Sequence, residues 1–220
     1  KEIAIAWAHE FNTKELGLKI DYVSVISGED GVPADEDSER TWQTIAGNSG
    51  ENIEIRKMGR KDNFWGPTGN EGPCGPTTEI YVNGVEIWNI VFNEYYCDKN
   101  QKLRKLETAG IDTGMGLERL AMVSQKVKTI FETDLLKPIL ILAPMEFNDR
   151  IGRIAADHSR AIAFLITEGV RPSNKEQGYI LRRLMRRVIT YFKVSKADPT
   201  IMHDIFAEIA SVYGPFYPKL

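Results

Sequence analysis

Cysteine is scarce and scattered: Cys74 and Cys97 are the only two in 220 residues, too few for a disulfide framework or a thiolate metal cluster. Histidine is as sparse, and His9, His158 and His203 stand too far apart for zinc-ligand spacing. No apolar run approaches the ~20 residues that a membrane-spanning helix needs, and no signal-peptide pattern opens the chain. Charge of either sign is not in large excess, the net value being -3, so any surface for a polyanion must be local. Reduced thiols and the lack of a membrane segment make the cytoplasm the expected compartment. An initiating methionine is also missing: Lys1-Glu2-Ile3 already lies within a helical pattern, as if the chain were cut from something longer.

What is present is an ordinary globular composition, 42% hydrophobic and 27% charged, long enough to bury a core in one or two domains. The stretch Gly110-Ile-Asp-Thr-Gly-Met-Gly-Leu-Glu-Arg-Leu120 concentrates three glycines, an acid with the look of a buried group, and an arginine. Gly114 and Gly116 allow a backbone to approach a flat ligand without a Cβ in the way. Leu117, Leu120, Ala121 and Val123 recur at helical spacing, which puts Arg119 in the first turn of a helix, where its fork of donors suits phosphate oxygens. The plainer alternative is a packed strand-to-helix turn with a surface arginine.

Along the chain, Ile3, Trp7 and Phe11 mark a helix over 2–16, and 19–26 alternates as a strand. An acidic loop over 27–37 precedes a short helix over 38–45 closed by Gly47, then a strand over 53–58. Residues 66–76 hold four glycines and three prolines, which predicts a rigid loop without regular structure. Strands over 77–82 and 85–92 flank Asn83-Gly84, a strong hairpin signal. Among these apolar strands Glu79, Glu86 and Asn89 stand out. Plain alternation sends Glu86 and Asn89 to opposite faces, so only a bulge or strong twist could join them. Residues 95–108 have the look of a long polar connection, and Ile111 starts the next strand. Helices follow over 117–128 and 133–142, the latter kinked or broken at Pro138.

Beyond Pro144 the pattern is helical and basic. Asn148 or Asp149 caps a helix that Gly169 and Pro172 stop, and Ser173-Asn-Lys-Glu176 has capping-box spacing before a helix over 177–192. On that helix Leu181, Leu184, Met185 and Val188 form the apolar stripe. Arg182, Arg183, Arg186 and Arg187 flank it as i, i+4 pairs, a positive ridge that suits a polyanion or is merely a solvated face. A last helix spans 200–212.

Asp62-Asn-Phe-Trp65, Gly72-Pro-Cys-Gly-Pro76, Glu86-Ile-Trp-Asn-Ile-Val-Phe92, Asp112-Thr-Gly-Met-Gly-Leu-Glu-Arg119 and Gly178-Tyr-Ile-Leu-Arg-Arg183 occur in this order. Together they resemble the alanine–tRNA ligases, a family of class II aminoacyl-tRNA synthetases. The resemblance implies an α+β fold: an antiparallel class II sheet flanked by helices, followed by a mostly helical region, with the later part of the catalytic domain over 1–145 and a tRNA-recognition region over 146–220. It implies ATP, Mg2+ and L-alanine as ligands and the tRNA(Ala) acceptor stem as partner. Arg119 would be the catalytic contact to the terminal phosphate, Gly114 and Gly116 would admit the adenosine, and Glu86 would ligate Mg2+ carried by ATP. Asp112 would pair with the alanine ammonium, with Trp65, Asn89 and Val91 lining the side-chain pocket. Asn174 would help read the acceptor stem, and Arg182, Arg183, Arg186 and Arg187 would hold its phosphates.

The sequence departs from the family in three ways. The first two class motifs would lie upstream of Lys1, Val82-Asn-Gly-Val85 is a bare hairpin where many members carry an insertion, and Gly66-Pro67 follows Trp65 where other residues are expected. A pocket walled by Trp65 and Val91 cannot cleanly reject serine or glycine, so the resemblance also implies a separate editing site, and none is visible in this chain. Two other functions stay open: a non-catalytic RNA-binding module and an alanine- or adenylate-binding relic.

Overall fold

The computed structural model describes residues 1–29 and 31–220. The chain divides into two compact units, Lys1–Lys126 and Val127–Leu220. In the first, β1 (Tyr22–Ile26), β2 (Glu54–Met58), β3 (Phe64–Trp65), β4 (Gly72–Val82), β5 (Val85–Cys97) and β6 (Leu103–Met115) build one sheet in the order β2-β1-β4-β5-β6, with β3 paired to β4. All neighbours are antiparallel except β1 and β2, which are parallel. Such a parallel pair needs a crossover, supplied by α2 (Glu36–Ser49).

One face of this sheet is apolar. Val23, Val25, Ile80, Val82, Ile87, Ile90 and Phe92 pack there against Ile5 and Ala8 of α1 (Glu2–Glu10) and Trp42 of α2. Trp42 is fully enclosed, and its indole N–H is satisfied by Thr78 Oγ1 at 2.8 Å. Burying the ring with its polar handle paired avoids the cost of an orphaned donor.

Local chemistry sets the element ends, and several differ from the sequence expectations. After Glu10 the first helix continues as a π-helical turn over Phe11–Glu15 and stops at Gly17 with φ +61°. The second helix starts earlier than 38, because Asp35 caps it: its Oδ1 accepts from Ser38 N at 3.2 Å and its Oδ2 from Ser38 Oγ at 2.7 Å. It also runs past Gly47 to Gly50, whose left-handed φ of +69° ends it. Asn83 and Gly84, with φ of 51° and 72°, form the tight hairpin turn.

The glycine- and proline-rich stretch is not all loop. From Gly72 onward it is strand β4, pairing through Gly72, Pro73 and Cys74 with Cys97, Tyr96 and Tyr95. Here β5 carries one more residue than β4, since Gly75 and Pro76 oppose Phe92, Asn93 and Glu94. The chains come so close that a Cβ on Gly75 would collide with the Phe92 carbonyl oxygen. Nor is 95–108 an open connection: β5 persists to Cys97, β6 starts at Leu103, and a short Asp98–Lys102 turn joins them. Cys74 and Cys97 are free and buried, and burial pushes the Cys74 thiol up to about 11. The helix after Met115, α4 (Leu117–Ser124), is shorter than 117–128.

The second unit is helical: α5 (Lys137–Ile141), α6 (Asp149–Thr167), α7 (Glu176–Ser195) and α8 (Ile201–Tyr213). Leu136, Ile139, Ile162, Leu181, Val188, Phe192, Ile205 and Ile209 form its core. Pro138 sits in the first turn of α5 and begins that helix instead of breaking it, since an N-terminal proline N–H would be unpaired anyway. Asn148 caps α6, accepting from Ile151 N at 3.0 Å. The capping box at Ser173 does not form. Ser173 Oγ instead bonds Lys175 O and N, and the segment from Arg171 to Ser173 crosses α7 where Gly178 offers no side chain. No helix among the described residues is long and apolar enough to cross a membrane.

These contacts give contrasting expectations for two glycines. Gly75→Ala should destabilise the chain by roughly 3 kcal/mol. Gly47→Ala, mid-helix with nothing within 4 Å of an added Cβ, should stabilise it by about 0.5–1 kcal/mol. Urea denaturation of both variants checks this. Equal effects would contradict the close approach at Gly75.

Candidate active site

The other face of the sheet is polar, and one irregularity in β5 assembles it. Glu79 pairs with Asn89 and Ile80 with Trp88, but Tyr81 pairs with Glu86, so Ile87 is an extra residue with no partner in β4. Cross-strand partners point to the same face, and so do residues two apart in an unbroken strand. Glu79 and Tyr81 are two apart in β4, so their partners Asn89 and Glu86 share a face. The extra residue lets Ile87 and Trp88 both serve the apolar core. The question that plain alternation leaves open is thus answered by a bulge.

Pairing with β6 extends the same face. Asn89 lies opposite Gly114 and Val91 opposite Asp112. The bulge is also tied to the turn that follows β6, because the Ile87 carbonyl accepts from Gly116 N at 3.2 Å. Gly116 caps α4, and Arg119 in its first turn packs its stem over that glycine. The Arg119 guanidinium donates through Nη1 to the Glu86 carboxylate at 3.0 Å and to the Glu86 carbonyl at 3.1 Å. Glu86, Asn89, Val91, Asp112, Gly114, Gly116 and Arg119 are therefore one cluster.

One nominated residue differs from expectation, and another stands apart from the cluster. Asp112 is not a buried acid: it is exposed, with Oδ1 accepting from Thr113 N at 2.8 Å. Its pocket-like look came from flanking glycines, and on this strand glycine opens the surface instead of covering it. Trp65 is on β3, opposite Gly75, with 38% of its surface exposed, and the β4–β6 register that gathers the others does not include it.

Sequence reasoning gave no role to the residues beneath the cluster. Glu79, only 8% exposed, accepts from Tyr81 Oη at 2.7 Å, Ser24 Oγ at 3.2 Å and Asn89 Nδ2 at 3.3 Å. Ser24 in turn accepts from Asn63 Nδ2 at 2.9 Å. A lone serine inside Tyr22-Val-Ser-Val-Ile26 was the available signal, since a hydroxyl in a buried strand demands a partner. Tyr22 stacks on Tyr81 at 4.2 Å, and Arg56 lies over the Tyr22 ring at 3.5 Å. A concavity of about 570 Å³ lined by Lys1, Glu2, Asp37, Arg40 and Glu94 contains none of the nominated residues.

In the second unit, Asn174 and Arg183, Arg186 and Arg187 are exposed and Arg182 is partly so. Arg187 Nη1 lies 3.4 Å from His158 Nε2 on α6. The arginine ridge is a real surface feature of α7.

Along residues 1–220 the chain matches the family model described as tRNA synthetases class II (A). It is similar to the alanine–tRNA ligase of Rubrobacter xylanophilus, 38% identical over 224 residues that cover 85% of this chain and 25% of that protein. The alanine–tRNA ligase of Petrotoga mobilis is 37% identical, covering 100% of this chain and 28% of that protein. For that of Borrelia hermsii the values are 34%, 100% and 42%. The chain therefore spans less than half the length of these relatives.

The polar face carries a pH signature. Burial pushes the Glu79 carboxyl up; hydrogen bonds from Tyr81 and Ser24 oppose the shift, and the charges of Glu86 and Asp62 add to it. A raised folded pKa means the folded chain holds this proton more tightly than the unfolded one. The stability it contributes is present below the ordinary carboxylate range and is lost as pH rises through the folded value. The stability of the wild type relative to Glu79→Gln should therefore decline as pH rises above the ordinary carboxylate range of about 4. Urea denaturation across that rise checks it, and a difference that grows with pH would contradict it.

Proposed function

This chain belongs to the class II (A) tRNA synthetases, and we propose that it supplies part of the catalytic core of a longer enzyme that activates L-alanine with ATP and transfers it to tRNA(Ala). The observation that carries the reading is the bulge at Ile87, which puts Glu86 and Asn89 on one face with Val91, Asp112 and Gly114, beside Arg119. Relatives named alanine–tRNA ligase support the choice of amino acid.

Activation joins the alanine carboxylate to the α-phosphorus of ATP. A carboxylate oxygen forms the new P–O bond, the bond to the bridging oxygen breaks, and pyrophosphate leaves with the electron pair. No side-chain nucleophile is needed, so the protein's task is to position two anions and offset their charge. Asp112 would hold the ammonium, and Asn89, expected to line the side-chain pocket, would join it because it shares that face and its Oδ1 has no partner among the described residues; Val91 and Trp65 would limit side-chain size. Gly114 and Gly116 would let the adenosine lie against the backbone.

Arg119 and Glu86 neutralise one another. Both are partly exposed, and such a pair is worth about 0–1 kcal/mol, so it is readily exchanged. Arg119 would turn to the terminal phosphate and Glu86 to the cation. Mg2+ is held by one or two carboxylates plus phosphate oxygens, which fits Glu86. Its chemistry would be to neutralise phosphate charge. Among the described residues no group of three or more His, Cys, Asp or Glu forms a metal cage of its own.

In the helical unit, Asn174 and the arginines 182, 183, 186 and 187 would engage the acceptor stem through its phosphates and the turn before α7. The exposed ridge also favours a second reading, in which this chain acts as an RNA-binding module without catalysis.

Titration calorimetry with a non-hydrolysable alanyl-adenylate analogue separates the readings. Asp112→Ala and Arg119→Ala should each weaken binding roughly ten- to hundredfold, the scale of one charged hydrogen bond. Normal binding by both variants, or none by a folded wild type, would remove the catalytic reading for this chain. Arg186→Ala should leave analogue binding unchanged. It should weaken an acceptor-stem RNA duplex and reduce the slope of log affinity against log salt by about 1. An unchanged slope would mean that Arg186 contacts no phosphate.

A further inference from the structure

Glu79 is enclosed at the centre of the polar face, and nothing in the reaction above touches it. Its carboxylate nevertheless decides how a neighbour is turned. Both Glu79 oxygens accept, Oε2 from Tyr81 and Ser24 and Oε1 from Asn89 Nδ2, so the Asn89 amide directs its NH2 to Glu79 and its oxygen away. Asn89 Oδ1 is enclosed and has no hydrogen-bond partner among the described residues. A buried acceptor left unmade is costly, and it draws a donor when one arrives. Opposite Asn89, the side-chain position of Gly114 is open space, with nothing within 4 Å of an added Cβ. Asp112 stands two residues along the same strand on the same face.

Glu79 is itself held from the other side. Tyr81 Oη and Ser24 Oγ donate to it, and Asn63 Nδ2 holds Ser24 while also donating to Thr77 O and Oγ1 at 3.2 Å. The orientation of Asn89 is therefore fixed through strands β1 and β4 and the short helix α3 (Arg60–Asn63). We infer that Glu79 is a positioning residue that makes the site specific for acyl groups bearing an α-amino group: by taking the Asn89 NH2 it leaves the amide oxygen, which has no partner among the described residues, as the group that a substrate ammonium beside Asp112 would meet. The inference rests on the proposed reading of Asn89 and Asp112 as the ammonium site. Without Glu79 the amide is free to turn over and offer a donor where a cation must bind.

Two ligands distinguish this from a structural role: an alanyl-adenylate analogue and its des-amino, propionyl counterpart. The full chain is titrated with each, beside Glu79→Gln, Tyr81→Phe, Asn89→Ala and the Glu79→Gln/Asn89→Ala double variant, with thermal melts to show that each is folded. The wild type should prefer the amino analogue. Glu79→Gln should weaken that analogue about tenfold, the scale of one hydrogen bond to a charge. It should leave the des-amino analogue within about twofold and add little in the Asn89→Ala background, as coupled residues do. Tyr81→Phe keeps the carboxylate and loses one of its donors, so it should weaken the amino analogue alone, by a smaller factor. Should Glu79→Gln not fold, Tyr81→Phe decides by the same criterion. Equal weakening of both analogues, unchanged binding, or additive losses in the double variant would overturn the inference while leaving the ammonium site in place. A wild type that binds both analogues alike, or neither, would remove the ammonium-site reading and this inference with it.

Discussion

An extended strand can show only alternate residues to one face unless its pleat is broken, and β5 breaks it at Ile87. The extra residue moves Glu86 onto the face that carries Asn89 and Val91, and sends Ile87 and Trp88 together into the core. Its carbonyl then accepts from Gly116 N, which fixes where the glycine-rich turn ends and α4 begins. Arg119 reaches Glu86 because that turn is fixed. Sheet register, turn and helix start are one linked arrangement, and the polar cluster exists only while all three hold.

The two faces of the sheet do different physical work. The apolar one buries large side chains against α1 and α2 and carries most of the unit's stability, at about 25 cal/mol per Å² of apolar surface removed from water. The polar one holds Glu79 enclosed, with a raised pKa, and leaves Asn89 Oδ1 without a donor among the described residues. Neither feature helps folding. Local features that oppose folding are tolerated when the surrounding structure is strong enough, and they gather at functional sites. Here the apolar face provides that strength directly beneath the site.

Much of this arrangement was legible in the residues. The hairpin at Asn83-Gly84, a cap at Asn148 or Asp149 and the apolar stripe of α7 follow from local chemistry, and the structure has all three, with Asn148 as the cap. Five motifs in order were enough to point to the class II synthetase family that the whole chain matches. The features that escaped depend on partners distant in sequence. Gly72-Pro-Cys-Gly-Pro76 is a strand because Tyr95–Cys97 lies beside it, and its local composition argues the reverse. Ser173 and Glu176 have capping-box spacing, yet the preceding segment crosses α7 at Gly178 and takes the serine elsewhere. The opposed faces of Glu86 and Asn89 could be posed as a problem from alternation alone. Their meeting required the register of β4, which no local pattern encodes.

A crystal structure of this chain with a non-hydrolysable alanyl-adenylate analogue tests the central claim most directly. The ligand should lie on the polar face of the sheet, its ammonium between Asn89 and Asp112, its adenosine against Gly114 and Gly116, with Arg119 released from Glu86 and Ile87 still outside the β4 register. A ligand bound elsewhere, or a β5 strand that alternates without the bulge and parts Glu86 from Asn89, would contradict it.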